Sequence, residues 1–557
     1  MKITLSDNGY VNHARLLRRT IEERIDAEWT TNGICISLTV DKTLPAESYR
    51  ITNKTNAWQI TAGDELGLYY GIGKLLHSAK WTKADFTPIA TNGVVTPACS
   101  FRTMYYSIHF HNWYHEASTE ELIRYTEEIL LYGYNTLLCI FPVVNMENFH
   151  DETFLMFREK TRTVFKIAKE LGMKTALSIN PNQGLKTTPD SLLADPACYE
   201  GRTGNNGKNV CPSTPEGLAY LKELWINTLA QYTDIGIDYV LSWPYDEGGC
   251  GCEKCRPWGG NGFLNVSDAL HTEMLRFYPN AKFMLSTWYF DEIYTGPKPI
   301  GEYAGLYRRL KTDMSYVDYL MVDSHNFYPR YPLEHELLKP IVNFPEISMY
   351  GLKSWGGRGA NPLLCRFQKI WDSSKRVLSG GMPYSEGMYE DISKVQFAGY
   401  YWEPDKHYRD ILAEYISFEY SDKVVEDVLT MMELIERNHE RTRWGEEPDH
   451  DAAERADTIA IAVDKLLPGR AKNAWRWRIL YIRARIDRMV YDYHRTHCQG
   501  QEGALDRLWQ TPAEYLAENE EAQALLQELC RLYHTVDLER GKNHWTFPPV
   551  KDGKVLK

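Results

Sequence analysis

A chain of 557 residues is longer than one ordinary domain, and two to four are expected. Hydrophobic content of 43% with 25% charged residues is a globular composition, and a net charge of −12 argues against nucleic acid or an anionic membrane as the main partner. No apolar run approaches the length a bilayer requires, and the start, Met-Lys-Ile-Thr-Leu-Ser-Asp, has no signal-peptide core, so the chain reads as a soluble cytoplasmic protein or a leader-trimmed periplasmic one.

Residues 1–97 predict a small α+β domain. A strand at 2–6 leads to a helical pattern from His13 to Ile25, then to strands near 34–40, 48–52 and 57–62. A glycine-led helix from Gly63 to His77 closes the unit. From 98 to 405 strand and helix alternate, which predicts a parallel sheet. Strands are expected at 102–109, 134–141, 174–180, 237–243, 281–288, 318–323, 346–352 and 377–384. Helical stretches fall between them, one at 332–341 before the seventh strand and a last at 389–402. Eight strand–helix repeats make the fold class α/β, a (β/α)₈ TIM barrel, which places its chemistry at the strand C-termini. From 406 to 557 the strands stop, and amphipathic patterns at 407–418, 422–443, 450–466, 470–495 and 512–536 predict an all-helical C-terminal domain. The Trp and Tyr residues spaced helically between Ala474 and Tyr493 read as packing rather than as a ligand face.

The residues falling at the predicted strand ends are rich in carboxylates, amides and aromatics. They are His109 and His111; Pro142 and Asn145; Asn180 and Asn182; Tyr245, Asp246 and Glu247; Trp288, Tyr289 and Asp291; Asp323, His325 and Asn326; Lys353 and Trp355; and Tyr384, Glu386 and Tyr389. Such a set suits a carbohydrate pocket, and no glycine-rich phosphate cradle accompanies it. The 37 tyrosines and 16 tryptophans fit too, since flat rings with a polar edge suit sugar faces as well as large interiors.

The richest stretch is 238–255. An apolar strand runs out into Asp246 and Glu247, and two glycines and a Cys-x-Cys-x-x-Cys cluster (Cys250, Cys252, Cys255) follow. Eleven cysteines, an odd number without a secretory signal, speak against a disulfide framework. Three close thiols, with Cys211 as a fourth, make a set that suits structural zinc, free thiols and a labile disulfide being the alternatives. Glu247 has the position and chemistry of a general acid, or else of a rim carboxylate in a salt bridge. Glu386 reads equally as a nucleophile or base facing Glu247 and as a group that binds sugar hydroxyls or caps the next helix. Asp323 is a further carboxylate.

The run Val210-Cys-Pro-Ser-Thr-Pro-Glu, the Asp-Glu-Gly-Gly-Cys-Gly-Cys-Glu-Lys-Cys segment and Trp288-Tyr289 resemble Bacteroides-type glycoside hydrolases, among them the family 163 endo-β-N-acetylglucosaminidases and their uncharacterised relatives. Ile60 to Leu76 is similar to the accessory domain that precedes the barrel in family 20, 67, 84 and 89 enzymes. The likeness spans roughly residues 55–400. Relatives usually follow the Asp with Gly or another residue, whereas this chain has Glu247, and the adjacent pair is more similar to the Asp-Glu of family 20 hexosaminidases. The resemblance implies retaining, substrate-assisted hydrolysis of an N-acetylhexosaminide, with Glu247 as general acid/base and Asp246 orienting the acetamido group. It implies a carbohydrate substrate and no catalytic cofactor. His109, Asn180, Tyr245, Trp288, Tyr289, Asp323, His325, Trp355 and Tyr384 are the expected substrate contacts. A two-carboxylate glycosidase acting on a uronic acid or neutral sugar through Glu247 with Glu386 or Asp323 is the enzymatic alternative, and a non-catalytic glycan-binding barrel the other. A homo-oligomer is compatible with the composition.

Overall fold

Alternating apolar residues in Ile34–Val40 and Ala57–Ala62 place these two strands side by side, in parallel, inside a five-stranded N-terminal sheet. Lys2–Ser6 extends the sheet in parallel on one side, and Tyr49–Lys54 forms an antiparallel edge on the other. Helix Val11–Glu22 turns His13, Leu16, Leu17 and Ile21 inward, positions i, i+3, i+4 and i+8 of one helical face. Helix Glu65–His77 is capped by Asp64, whose side chain accepts from Gly67 N. The computed structural model describes the whole chain except residues 56, 110, 196–207, 245–248, 292–299, 324–327, 329, 349–359, 444–445, 499, 502, 504–511, 535–549, 552–553 and 556–557. Among the described residues no helix is long and apolar enough to cross a membrane.

Eight parallel strands follow: Phe101–Tyr106, Thr136–Ile140, Lys174–Ile179, Tyr239–Ser242, Lys282–Ser286, Val317–Asp323, Ile341–Phe344 and Leu378–Gly381. Each pairs with the next, and the last pairs with the first through Gly380–Phe101 and Gly381–Arg102, which closes the barrel. The closure requires glycine. At Gly380 φ is +139°, and a Cβ there would stand 1.6 Å from the Phe101 carbonyl oxygen. Near the strand N-termini the interior is filled by Phe101 and Tyr239, 5.2 Å apart edge to face, with Tyr319 at 5.4 Å from Phe101.

The seventh strand lies earlier than its predicted 346–352. Pro340 and Pro345 bracket Ile341–Phe344, and the helix expected to run to 341 is the short turn Arg330–Glu334. Both segments are brief and apolar, so periodicity alone does not choose between them. Pairing with strand six does: Leu320 sits opposite Ile341, and Asp323 opposite Phe344.

The C-terminal region is helical, with Tyr408–Glu419, Val425–Arg443, His450–Leu466, Trp475–Tyr493 and Glu520–Leu532 its longer members. Trp477 and Tyr491 are buried, so the aromatic spacing there is packing, as expected. Charged side chains tie the regions together. The buried Arg102 of strand one donates to Cys99 O and Gly133 O and pairs with Glu47 of the N-terminal region at 2.5 Å.

Candidate active site

The barrel interior ends, at the strand C-termini, in a floor of aromatic rings. Trp243 follows strand four, Trp288 follows strand five, Phe344 ends strand seven and Tyr384 follows strand eight. Trp243 meets Phe344 edge to face at 4.9 Å, and Trp288 meets Phe344 at 5.2 Å and Trp243 at 5.6 Å. Tyr384 stands edge-on to Tyr105 at 5.0 Å and to Phe344 at 5.7 Å. Tilted and edge-to-face contacts are what ring quadrupoles prefer, so each ring holds its neighbour in place. Beside Trp288, Tyr289 is half-buried and has a φ of +64°. A left-handed backbone at a bulky residue is strained and persists only where its surroundings impose it, often at a ligand site.

Three carboxylates rise around this floor on consecutive strands. Asp323 ends strand six, Glu346 follows strand seven and Glu386 follows strand eight; they are 1%, 2% and 3% exposed. Burying an ionised carboxylate is costly unless donors surround it, and Glu386 and Glu346 have them. Glu386 accepts from the Tyr384 hydroxyl at 3.2 Å and the Tyr389 hydroxyl at 3.3 Å, one on each oxygen. Burial, and next the Glu386 charge, push the Tyr384 hydroxyl well above its ordinary range and keep it a proton donor. Glu346 accepts from Ser348 Oγ at 3.3 Å, and its backbone bridges to Tyr384. Glu346 is absent from the expected strand-end residues because the seventh strand starts five residues before its predicted position. The signal for it is a carboxylate directly after Pro345, which closes the short run Ile341–Phe344.

A second tier holds the strand-eight loop. Glu390 accepts the backbone N–H of Glu386 at 2.8 Å, that of Gly387 at 3.2 Å and the Ser385 hydroxyl at 3.1 Å. It is paired with Lys394, one helical turn on, at 3.6 Å with both side chains buried. Burial drives each toward its neutral form, Glu390 upward and Lys394 downward. Lys394 also donates to the Gly387 carbonyl and to the Tyr125 hydroxyl, and Tyr125 in turn donates to Asp391 at 3.2 Å. Asp391 is held by Arg476 of the C-terminal helix Trp475–Tyr493 at 2.8 Å. A continuous chain of contacts therefore runs from the C-terminal region to Glu386.

The other residues expected at the strand ends divide. His109 is buried at the end of strand one, its ring 6.0 Å from those of Tyr105 and Tyr384. His111 lies 2.7 Å from Glu116, away from that cluster. Asn180 is buried at the end of strand three and donates to Gln183 Oε1 at 3.3 Å. Asp291, a strand-end carboxylate, binds backbone groups further along the chain. Its carboxylate accepts the backbone N–H groups of Ile300, Gly301 and Tyr303 at 2.9, 3.0 and 2.8 Å. Tyr245, Asp246, Glu247, His325, Lys353 and Trp355 lie outside the described residues. Cys211, Cys250, Cys252 and Cys255 come together beside strand four, all four Sγ atoms within 4.8 Å of one another. A cavity of about 730 Å³ between helices Val11–Glu22 and Thr119–Leu131 and the C-terminal helices is lined by ion pairs such as Arg24–Glu419 and Arg476–Glu128. Many of its charges pair with one another, whereas the strand ends carry the groups suited to acid–base chemistry.

No protein-family model matches the sequence, and no curated protein matches it. Its fold is similar to those of solved glycoside hydrolases. A family 89 enzyme of Clostridium perfringens in complex with its substrate GlcNAc-α-1,4-galactose superposes with a TM-score of 0.60 at 10% identity, over 94% of this chain and 65% of that one. A family 115 4-O-methyl-α-glucuronidase with specificity for decorated arabinogalactans gives 0.59 at 11% identity, over 98% and 77%. A family 138 enzyme targeting pectin rhamnogalacturonan II gives 0.58 at 13% identity, over 95% and 74%. At these identities the likeness is one of fold.

Proposed function

We propose that the chain is a glycoside hydrolase, active at the C-terminal mouth of its barrel, that cleaves N-acetylhexosamine-containing glycans by a retaining, substrate-assisted route. The observation that carries the reading is the cup itself: an aromatic floor, rimmed by Asp323, Glu346 and Glu386 on three successive strands, with the Asp246-Glu247 pair next in the chain after strand four and Pro244. Rings provide a face for a pyranose, and buried carboxylates provide acceptors for its hydroxyls. The motif likeness to family 163 and family 20 enzymes supports the acetamido specificity, and so does the GlcNAc-containing substrate of the family 89 structure that shares this fold.

In this reading Glu247 gives its proton to the glycosidic oxygen as the bond from C1 to that oxygen breaks. The carbonyl oxygen of the substrate's own 2-acetamido group attacks C1 and forms an oxazolinium ion. Asp246 accepts the amide N–H and stabilises the positive charge that develops, an interaction stronger in the transition state than in the ground state. Glu247, now a carboxylate, takes a proton from the water that opens the oxazolinium. C1 is inverted twice, so configuration is retained. Glu386 and Asp323 bind hydroxyls.

One observation favours a second reading. Glu386 has a hydroxyl donor on each oxygen and a dedicated support behind it, as a nucleophile or general base needs. Paired with Glu247 it makes a two-carboxylate glycosidase, and sugars of that kind, a uronide and a pectin, are the targets of the family 115 and family 138 structures. A thiazoline analogue of the oxazolinium separates the two. Strong competitive inhibition of the intact protein, lost in Asp246→Asn while the pH profile keeps its shape, is expected from substrate assistance. No inhibition by the thiazoline, together with a Glu386→Gln variant more damaged than Asp246→Asn, assigns the second carboxylate to Glu386 instead.

A further inference from the structure

We infer that Cys211, Cys250, Cys252 and Cys255 bind one zinc ion in a closed tetrathiolate site, which clamps the segment leading into helix Pro215–Ala230 to the segment that follows residues 245–248. Four facts on separate parts of the chain converge here.

The first is distance. A tetrahedron with Zn–S bonds of about 2.3 Å has S···S edges of about 3.8 Å. Cys211 and Cys252 Sγ lie 3.9 Å apart, and all pairs fall within 4.8 Å. Disulfide sulfurs would stand at about 2.05 Å, and all four cysteines are free thiols.

The second is enclosure. Cys250 and Cys255 are buried, Cys211 is 8% exposed and Cys252 is half-buried. Four protein thiol ligands fill a tetrahedral zinc and describe a structural site, since a catalytic zinc keeps a position for water or substrate.

The third is the backbone around the sulfurs. Asp195 N donates to Cys250 Sγ at 3.4 Å, and Ser213 Oγ lies 3.1 Å from Cys211 Sγ and 3.5 Å from Cys252 Sγ. The Cys252 carbonyl accepts from Cys255 N and Arg256 N, folding Cys252 to Cys255 into a turn that aims both sulfurs the same way. Donors around the sulfurs lower the cost of four thiolates on one dication.

The fourth is the approach. Gly249 has a φ of +135°, and a Cβ there would press on the Trp258 ring at 3.0 Å, so glycine lets the chain turn directly into Cys250. Cys211 N is fixed separately by Leu192 O at 3.0 Å. The two halves of the site thus arrive on independent supports. Soft thiolates in this geometry select zinc over harder ions such as magnesium or calcium.

The inference stands independently of the hydrolase reading. Elemental analysis of the protein as isolated should find near one zinc per chain, and replacement by cobalt(II) should give the intense visible bands of a tetrahedral thiolate complex. Cys252→Ser should lose the metal and unfold at lower temperature, whereas Cys498→Ser, a half-buried thiol outside the cluster, should keep both. If Cys252→Ser does not fold, the intact protein still decides the matter. Prolonged chelation should release zinc and expose four additional titratable thiols. A metal-free protein as isolated whose four thiols titrate freely in the folded state would overturn the site, and so would a chain that carries iron in place of zinc.

Discussion

Glutamine at Glu247 is expected to lower turnover on glycosides with poor leaving groups by about 10²-fold or more. The reason lies in the proton. An alkoxide of a sugar is a poor leaving group and departs only as it is protonated, so removing the acid exposes the full difficulty of the step. Activated aryl glycosides depart nearly unaided and should lose far less in the first step. The variant should also lose the alkaline limb of the kcat/KM profile, which reports the protonated acid of the free enzyme. KM for the activated substrates should fall or stay level, because the hydrolysis of the intermediate also uses Glu247 and becomes limiting. Small and equal losses on both substrate types, with the pH profile unchanged, would remove Glu247 from the acid role.

Arg476→Met should cost about 3–5 kcal/mol of stability, the range for breaking a buried charge cluster from one side. Arg476 is 7% exposed and spans three carboxylates: Asp391 at 2.8 Å, Glu128 at 2.8 Å and Glu419 at 3.9 Å. Without it Glu419 retains Arg24 at 3.5 Å and Glu128 retains Arg124 at 3.5 Å. Asp391, 2% exposed, keeps the hydroxyls of Tyr125 and Tyr415 but has lost its closest cation. Lysine at 476 should recover only part of the loss, since a point charge cannot fork to three partners as a guanidinium does. Asp391→Asn added to Arg476→Met should recover part as well, by removing the stranded charge. Activity should fall at temperatures below unfolding, because Asp391 leads through Tyr125, Lys394 and Glu390 to Glu386. Denaturation midpoints within about 1 kcal/mol of the wild type would show that the contact does not hold the C-terminal helices to the barrel.

Most barrel strands could be read from the sequence because each is a short apolar run bounded by turn residues and separated from the next by a helical pattern. The seventh could not. Ile341–Phe344 and the segment after it compete on equal apolar terms, and only pairing with strand six decides. Glu346 falls outside the expected strand ends for the same reason. The same physics hid the supports of the site. Arg102, Lys394 and Arg476 are charged residues within strands and helices, where periodicity marks them as solvent-facing, yet all three are buried against partners distant in sequence. Nothing local announces that Arg102 will find Glu47, or that Arg476 will find Asp391. The cysteine cluster was legible for the opposite reason: three of its members are close in the chain, and the fourth opens a Cys-Pro-Ser-Thr-Pro run. Asp291 is a strand-end carboxylate whose backbone N–H partners, Ile300 and Tyr303, no local pattern announces.

The most direct measurement is hydrolysis by the intact protein of three aryl glycosides matched in leaving group: a 2-acetamido-2-deoxyhexoside, its 2-hydroxy counterpart and a hexuronide. Expected is cleavage of the 2-acetamido sugar with a kcat/KM at least about 10²-fold above the others, because only that substrate carries its own nucleophile. A preference for the 2-hydroxy sugar or the uronide would contradict substrate assistance, and binding of the sugars with no cleavage of any would contradict a hydrolase.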